Sequence, residues 1–338
     1  MEKEALYYRH HSVENGTLEC LLCPHACIIP KGAHGKCHVR ANIDGQKLAV
    51  ENYAQISSMA IDPVEKKPLY HFYPGSKVFS IGTWGCNLSC QFCQNWQLSF
   101  EHPACKMLDP QSMLRMVLAC KENDSACRSI AYTYSEPTVW YEYLIDTAPT
   151  MQAAGIKTIL VSNGYINKEP LLGLTRCVDA ANIDVKGFKN DYYRKTCGGS
   201  LLPVLKTVET LHDAGCHVEI TMLLIPGLND DNASITAFAG WAARIDSEIP
   251  VHFTRYFPCY NMSIPATPVQ TLLNARCIAK EKLCNVYVGN ADVSEARETF
   301  CKNCGKMILS RSSLPKIESH IVNGACIYCG SMCYGCGL

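Results

Sequence analysis

The sequence lacks an apolar run near the ~18 residues that a membrane-spanning helix needs. It also lacks an excess of either charge, since 31 Lys and Arg residues balance 31 Asp and Glu residues. This balance provides no basic field for bulk electrostatic binding, so a nucleic-acid partner is not expected. The first residues lack the apolar core of a secretion signal. These absences predict a cytoplasmic protein with no membrane partner.

Cysteine is abundant, with 22 residues in a chain of 338. Disulfides are rare in the reducing cytosol, where C-x2-C pairs in a long chain are more typical of metal sites. The sequence therefore predicts metal binding in three separate groups of cysteines. Nine other cysteines are scattered and are interpreted mainly as small buried apolar residues.

The central group is Cys86, Cys90 and Cys93, with the spacing C-x3-C-x2-C. A four-iron cluster (4Fe–4S) is normally held by four Cys thiolates. Three thiolates leave one iron open to a small molecule, much as a catalytic metal site keeps one position free. The apolar residues 78–81 predict a strand just before this group. The cysteines would then lie past its carboxyl end, where parallel α/β sheets place active sites.

The N-terminal group lies in a segment that is rich in Pro and Gly and offers little apolar core. A metal is expected to hold such a segment together. Zinc and an auxiliary iron–sulfur cluster both fit, because spacing alone does not identify a metal. His25, His34 and His38 lie nearby and could replace a thiolate on zinc. The predicted ligands are Cys20, Cys23, Cys27 and Cys37.

The C-terminal group consists of two C-x2-C-G knuckles separated by 21 residues, a pattern typical of a zinc ribbon. Rubredoxin-like iron is the alternative metal. Cys333 and Cys336 add another pair, so a cluster that uses them together with Cys329 is a further alternative. The predicted ligands are Cys301, Cys304, Cys326 and Cys329.

Apolar segments alternate with amphipathic ones along the middle of the chain, which is typical of a parallel sheet covered by helices. We predict an α/β fold built on a partial, open (β/α)6 barrel over residues 75–295. A Cys-rich segment, 1–74, precedes the barrel, and a Cys-rich, zinc-ribbon-like segment, 296–338, follows it. Strands are predicted at 78–81, 129–134, 157–162, 181–185, 217–225 and 251–257, with an edge strand at 286–288.

The central triad and its flanking residues resemble the radical S-adenosylmethionine (radical SAM) superfamily. Phe92 fits this resemblance, since the superfamily has an aromatic residue before the last cysteine of the motif. The chain is similar to the activating enzymes of pyruvate formate-lyase type, and closer to the radical SAM component of the AmmeMemoRadiSam system. The resemblance covers about Cys20 to Gly330. It implies a (β/α)6 fold, a 4Fe–4S cluster and S-adenosylmethionine as cofactors.

Polar residues at the predicted strand ends match positions that bind S-adenosylmethionine in the family. The resemblance implies that Ser135 and Glu136 meet the methionyl amine, as a carboxylate and carbonyls can do for an ammonium. Ser162 and Asn163 offer hydrogen bonds after the third strand. These four residues are therefore predicted to bind the cofactor.

Asp184 and Lys186 alternate along the end of the fourth strand, so both point to one face. The resemblance implies that Lys186 meets the cofactor carboxylate and that Asp184 meets a hydroxyl or ammonium group. A merely structural ion pair is the alternative. His252 matches a histidine near the ribose in the activating enzymes, and a hydrogen-bonded core histidine is the alternative.

The resemblance implies an enzyme that reductively cleaves S-adenosylmethionine and uses the resulting 5′-deoxyadenosyl radical to remove a hydrogen atom from a peptide or a small molecule. Three alternatives stand beside it: installation of a glycyl radical on a partner enzyme, RNA modification, and a non-catalytic zinc-binding interaction protein. The expected partners are an electron donor such as flavodoxin or ferredoxin, and a protein substrate.

Overall fold

The N-terminal segment folds into small antiparallel sheets in the computed structural model, which describes residues 3–313 and 316–338. One sheet has the order β1-β7-β6-β5, and a second has the order β2-β3-β4. Within residues 3–74 the structure has short strands and one short 3-10 helix, Val64–Lys66. The strands are β1 Lys3–Glu4, β2 Tyr8–Ser12, β3 Thr17–Cys20, β4 Ile28–Ile29, β5 Ala33–His34, β6 Arg40–Asn42, β7 Leu48–Val50 and β8 Gln55–Ile56.

An eight-stranded sheet with the order β17-β16-β15-β14-β13-β12-β10-β9 forms the centre of the fold. All strands from β10 to β17 in this sheet run parallel, and β9 pairs antiparallel with β10 at one edge. β11 pairs with β8 outside it. The strands are β9 Ser58–Pro63, β10 Lys77–Gly82, β11 Lys106–Met107, β12 Cys127–Tyr132, β13 Lys157–Ser162, β14 Ala180–Asp184, β15 His217–Leu224, β16 Val251–Arg255 and β17 Val286–Gly289.

This architecture confirms the predicted α/β class, and all seven strands that the sequence predicted for the barrel are present. The antiparallel edge strand β9 was not predicted. It comes from the segment assigned to the N-terminal part of the chain, yet it pairs with β10 over six residues. The barrel sheet therefore begins before residue 75.

Helices cover the outer face of the sheet. Asp109 and Asp231 cap the amino ends of two of them, accepting hydrogen bonds from the amides of Ser112 at 2.9 Å and Ser234 at 3.0 Å. A π-helix, Tyr193–Cys197, interrupts the connection after β14. The α-helices are α1 Trp96–Phe100, α2 Pro110–Asn123, α3 Tyr141–Ala153, α4 Lys168–Leu174, α5 Asn190–Tyr192, α6 Leu201–Asp213, α7 Asn232–Ile245 and α8 Val269–Lys280.

The amino-terminal end of the barrel is filled by the segment that joins β9 to β10. Val64, Leu69 and Phe72 from this segment pack against strand residues such as Val78 and Ile159 in a fully apolar cluster. Burial of this cluster closes the lower end of the barrel. The carboxyl ends of the strands remain as the open end.

The C-terminal segment forms a small antiparallel unit with its own core of Ile308, Leu309 and Ile321. The chain then returns to the base of the barrel, where the amide of Tyr73 donates to the carbonyl of Cys336 at 2.8 Å. No helix in the described ranges is long and apolar enough to cross a membrane. The strands are β18 Thr299–Phe300, β19 Met307–Ser313, β20 Lys316–Ser319, β21 Ile321–Val322 and β22 Ala325–Cys326.

Candidate active site and cysteine groups

The central triad (Cys86, Cys90 and Cys93) lies in the loop that follows β10, as the sequence predicted. Gly85 precedes it with φ +94°, a backbone conformation that glycine adopts without steric cost. All three cysteines line a single cavity at the carboxyl ends of the strands. The cavity encloses about 1320 Å³, including the space at its open mouth.

Hydrogen-bond donors surround the triad. The amide of Leu88 donates to the sulfur of Cys86 at 3.4 Å, and Asn163 Nδ2 approaches the same sulfur at 3.7 Å. Ser99 Oγ lies 3.6 Å from the sulfur of Cys93. Donors of this kind tune the potential of an iron–sulfur cluster.

A fourth thiol, that of Cys197, lies beside the triad. It ends the π-helix, and a hydrogen bond with it lowers the pKa of Cys90. Its carbonyl accepts from the amide of Ser89 at 2.8 Å, so the two loops are joined by backbone as well. The sequence alone predicts Cys197 to be one of the nine scattered, small buried apolar cysteines. No local spacing linked it to a motif more than 100 residues earlier.

Glu136 is buried against the end of β13. Its carboxylate accepts from Ser162 Oγ at 2.7 Å and from the amides of Asn163 and Thr138 at 2.8 and 2.9 Å. Burial raises the pKa of Glu136, and these donors oppose the shift. Ser135 donates its hydroxyl to the carbonyl of Thr83 at 2.9 Å. These contacts bring the predicted residues of two strand ends together.

Asp184 and Lys186 form an ion pair with 2.7 Å between Lys186 Nζ and Asp184 Oδ2. Burial would lower the pKa of Lys186, but the Asp184 carboxylate and the thiol of Cys90 outweigh it and raise the pKa. The ammonium therefore stays charged beside the triad. Both side chains keep some solvent exposure at the cavity, 32% and 18% respectively.

The remaining cavity wall contains two polar atoms with no partner among the described residues. Asn182 Oδ1 and Thr221 Oγ1 are buried and make no hydrogen bond there. Since buried polar atoms are normally paired, these two fit a polar ligand in the cavity. The predicted residues that line the same cavity with the triad are Ser135, Glu136, Ser162, Asn163, Asp184 and Lys186.

His252 is not among the described residues that line the cavity. It precedes Thr254 by two positions on β16, so it points inward one layer deeper. Its Nε2 lies 2.6 Å from Oε2 of Glu219. That carboxylate also accepts from the amides of Tyr70 and His71 at 2.9 and 2.7 Å. In this structure His252 is a buried histidine hydrogen-bonded to Glu219, the arrangement named above as the alternative to a residue near the ribose.

The C-terminal group (Cys301, Cys304, Cys326 and Cys329) is compact. The sulfurs of Cys301 and Cys329 are 3.6 Å apart, and those of Cys304 and Cys326 are 3.8 Å apart. Zn–S bonds of about 2.3 Å in a tetrahedron place sulfurs roughly 3.8 Å apart. The group therefore has the spacing for a single metal ion. Cys336 lies away from it, against His71 and Tyr73, so the alternative cluster with Cys329 is not assembled.

The N-terminal group (Cys20, Cys23, Cys27 and Cys37) lines one cavity between the N-terminal sheets and the triad loop. Of the three nearby histidines, His25 lines this cavity and the other two do not. His25 Nε2 bonds the carbonyl of Asn87 at 2.7 Å, and His34 Nε2 bonds Glu51 Oε2 at 3.0 Å. His38 is exposed. Because His25 lines the cavity beside the four cysteines, a histidine in place of one thiolate stays an alternative for zinc there.

Comparison with known proteins gives a consistent set of similarities. The profile of the Radical SAM superfamily matches residues 80–239. The uncharacterized protein MJ0808 of Methanocaldococcus jannaschii is 39% identical over 91% of each chain. The pyruvate formate-lyase-activating enzyme of Staphylococcus epidermidis is 24% identical over 57% of this chain and 81% of its own length.

A solved structure, Streptococcus suis SuiB bound to S-adenosylmethionine, superimposes with a TM-score of 0.51 at 14% identity. The similarity covers 68% of this chain and 53% of SuiB. At this level of identity the likeness concerns the fold.

Proposed function

Because the chain belongs to the radical SAM superfamily, we propose that this enzyme cleaves S-adenosylmethionine reductively and removes a hydrogen atom from a peptide or a small molecule. The observation that carries the proposal is the convergence of three cysteine sulfurs and polar residues from three strand ends on one cavity. The superfamily implies a 4Fe–4S cluster and S-adenosylmethionine. When bound, the cluster supplies the electron that cleaves the sulfonium.

The central triad would hold the cluster. Its sulfurs do not form a compact single-ion group, since the sole set of three or more possible ligand atoms within 4.8 Å of one another in the described ranges is the C-terminal one. In a cluster each thiolate binds a different iron, so wider spacing fits. Three ligands leave one iron for the cofactor. The open cavity beside the triad provides the space for it.

Lys186 would bind the carboxylate of the methionyl group, because its ammonium stays charged at the cavity wall. Ser135 and Glu136 would orient the methionyl amine, and Ser162 and Asn163 hold the Glu136 carboxylate in place. The unpaired oxygens of Asn182 and Thr221 would accept hydrogen bonds from the remaining polar groups of the cofactor. His252 would support the floor of the cavity through Glu219.

The test is anaerobic reconstitution followed by dithionite and S-adenosylmethionine, with 5′-deoxyadenosine measured by mass spectrometry. We expect the product from the native chain and its loss in Cys93→Ala. Cys277→Ala, a change at an exposed cysteine on α8, is the matched control and should keep the activity. A cluster-loaded native protein that forms no 5′-deoxyadenosine would overturn the proposal.

Activation of a glycyl-radical enzyme is the second candidate, favoured by the similarity to a pyruvate formate-lyase-activating enzyme. A protein substrate is compatible with the open mouth of the cavity. Pyruvate formate-lyase deuterated at glycine is the probe, and deuterium in 5′-deoxyadenosine is the readout. Deuterium transfer would favour this candidate. Product formation without transfer would favour another substrate. Flavodoxin or ferredoxin is the proposed electron donor.

A further inference from the structure

We propose that the N-terminal group holds a second iron–sulfur cluster, which relays electrons to the central triad. The relay part rests on the proposed function, whereas the presence of the cluster does not. Four thiols, a neighbouring cation and an adjoining loop of the active site support the assignment.

The spacing of the sulfurs favours a cluster over a zinc ion. In the described ranges, the C-terminal group alone places its possible ligand atoms within 4.8 Å of one another, as one tetrahedral ion requires. In the N-terminal group, as in the central triad, no three sulfurs lie within 4.8 Å of one another. Its four cysteines still surround one cavity. Thiolates on separate irons of a cluster have this wider arrangement.

The cavity contains a buried cation that can stabilise a negatively charged ligand. Arg40 lines it and is 1% exposed, and its Nε has no hydrogen-bond partner among the described residues. Its other guanidinium nitrogens bond Glu142 Oε1 at 2.5 Å and the carbonyl of Leu6 at 2.6 Å. An unpaired N–H of a buried cation fits the negative charge of a thiolate-bound cluster.

A backbone amide donates to one of the sulfurs of this group. The amide of Lys36 lies 3.5 Å from the sulfur of Cys27. Such N–H···S contacts stabilise metal-bound thiolates and tune cluster potentials. The four cysteines that line the cavity can therefore supply an all-thiolate ligand set for a cluster.

The loop that carries the central triad also forms part of the wall of this cavity. Asn87, which follows Cys86 in the chain, lines the cavity and accepts a hydrogen bond from His25 at 2.7 Å through its carbonyl. A Cβ placed on Gly85 would lie 3.0 Å from the carbonyl oxygen of Cys37. The backbone of the two groups is therefore in direct contact, which suits electron transfer between them.

The opposite side of the group reaches the surface, where Cys27 is half-buried and Lys36 is exposed. A one-electron carrier protein that docks there would reduce the second cluster by one electron. The same electron then passes to the triad cluster. No bond is formed or broken in this transfer, and no atom is exchanged with the carrier.

Metal analysis of the anaerobically reconstituted chain tests the assignment. We expect about eight iron and eight acid-labile sulfide per native chain, and about four of each after Cys86→Ala, Cys90→Ala and Cys93→Ala are combined. The triple variant should still give an EPR signal after reduction. Adding Cys23→Ala should remove that signal, and Cys277→Ala in its place should not. A triple variant that carries zinc without sulfide at this site, or no metal there, would overturn the proposal.

The relay is tested with two reductants in the Cys23→Ala variant. Formation of 5′-deoxyadenosine should be lost with reduced flavodoxin and kept with dithionite, which can reach the triad through the open cavity. Equal activity with both reductants would overturn the relay. If the native chain forms no product while the triple variant keeps its iron and sulfide, the proposed function fails and the second cluster stands.

Discussion

Asn163 Nδ2 lies 3.7 Å from the sulfur of Cys86 and 2.9 Å from Oδ1 of Asn87. One side chain from the end of β13 therefore bonds the triad loop at two adjacent residues. It orients the first cysteine of the triad and places a donor beside its sulfur. Because such donors stabilise the reduced state of a cluster, Asn163 is expected to set the potential at which the site accepts an electron.

Asn163→Asp should lower the midpoint potential of the central cluster while iron binding is kept. The substitution replaces a donor with a negative charge, which disfavours the added electron. Redox titration followed by EPR measures the shift. Asn274→Asp, on α8 and paired with Gln270, is the matched control and should leave the potential unchanged. An unchanged potential in Asn163→Asp would contradict the assigned contact.

Lys186→Met should weaken binding of S-adenosylmethionine about tenfold or more, equivalent to roughly 1.4 kcal/mol or more. The variant removes the ammonium at the cavity wall and leaves Asp184 without its partner. Equilibrium dialysis on the reconstituted chain measures the change. Lys189→Met removes an exposed ion pair with Asp231 and serves as control. Equal affinity in both variants would favour the structural role of the Asp184–Lys186 pair.

Gly85→Ala should destabilise the chain more than Gly32→Ala. Both glycines have positive φ, +94° and +80°, so both variants carry the strain of a left-handed backbone, about 1–2 kcal/mol. A Cβ on Gly32 meets nothing within 4 Å, whereas on Gly85 it would lie 2.3 Å from Cγ2 of Val39. Denaturant unfolding measures both. An equal loss of unfolding free energy in both variants would mean that the N-terminal segment does not pack tightly against the triad loop.

The free energy of unfolding should fall as pH rises from about 6.5 to about 9 because of His217. Burial lowers the pKa of His217, but hydrogen bonds to Cys336 and Glu219 outweigh it and raise the pKa to about 9. A raised histidine pKa stabilises the folded state fully below its ordinary value of about 6.5 and loses that contribution as pH rises through the folded value. His217→Gln should flatten this slope, and the exposed His10→Gln should not. Chemical denaturation at several pH values measures the free energy of unfolding of the native chain and of both variants, and an unchanged slope in His217→Gln would contradict the prediction.

Cys304→Ser should abolish binding of the metal at the C-terminal group, with zinc measured by mass spectrometry at one per native chain. The variant removes one of four sulfurs in a tetrahedral set. Cys333→Ser is the matched control, since Cys333 lies outside that set and should keep the metal. Loss of zinc in both variants would show that the ligand set differs from the four predicted residues.

Local patterns predicted much of this molecule. The spacing of the triad, the two knuckles near the C-terminus and the alternation of strands and helices all depend on residues close in the chain. The carboxyl ends of parallel strands meet at one edge by geometry, so Glu136, Asn163 and Lys186 could be expected near the triad. Similarly, the amphipathic segments between the strands predicted helices that cover the sheet, and α2 and α7 among them begin at the capping residues Asp109 and Asp231.

Other features depended on contacts between distant segments. Cys197 meets the triad through the irregular π-helix after β14, which no periodicity indicated. β9 joins the barrel sheet because its backbone pairs with that of β10, although the sequence predicted residues 1–74 to be a separate N-terminal segment.

The sequence by itself determined where the cysteines are grouped and which strand ends carry polar groups, because both follow from residues that are close together in the chain. Only the tertiary structure decided that His252 serves Glu219 below the cavity and that the N-terminal cysteines lie against Gly85. The reason is physical. The direction of a side chain in a barrel, and the distance between two loops, depend on how the whole sheet closes and on what packs against it.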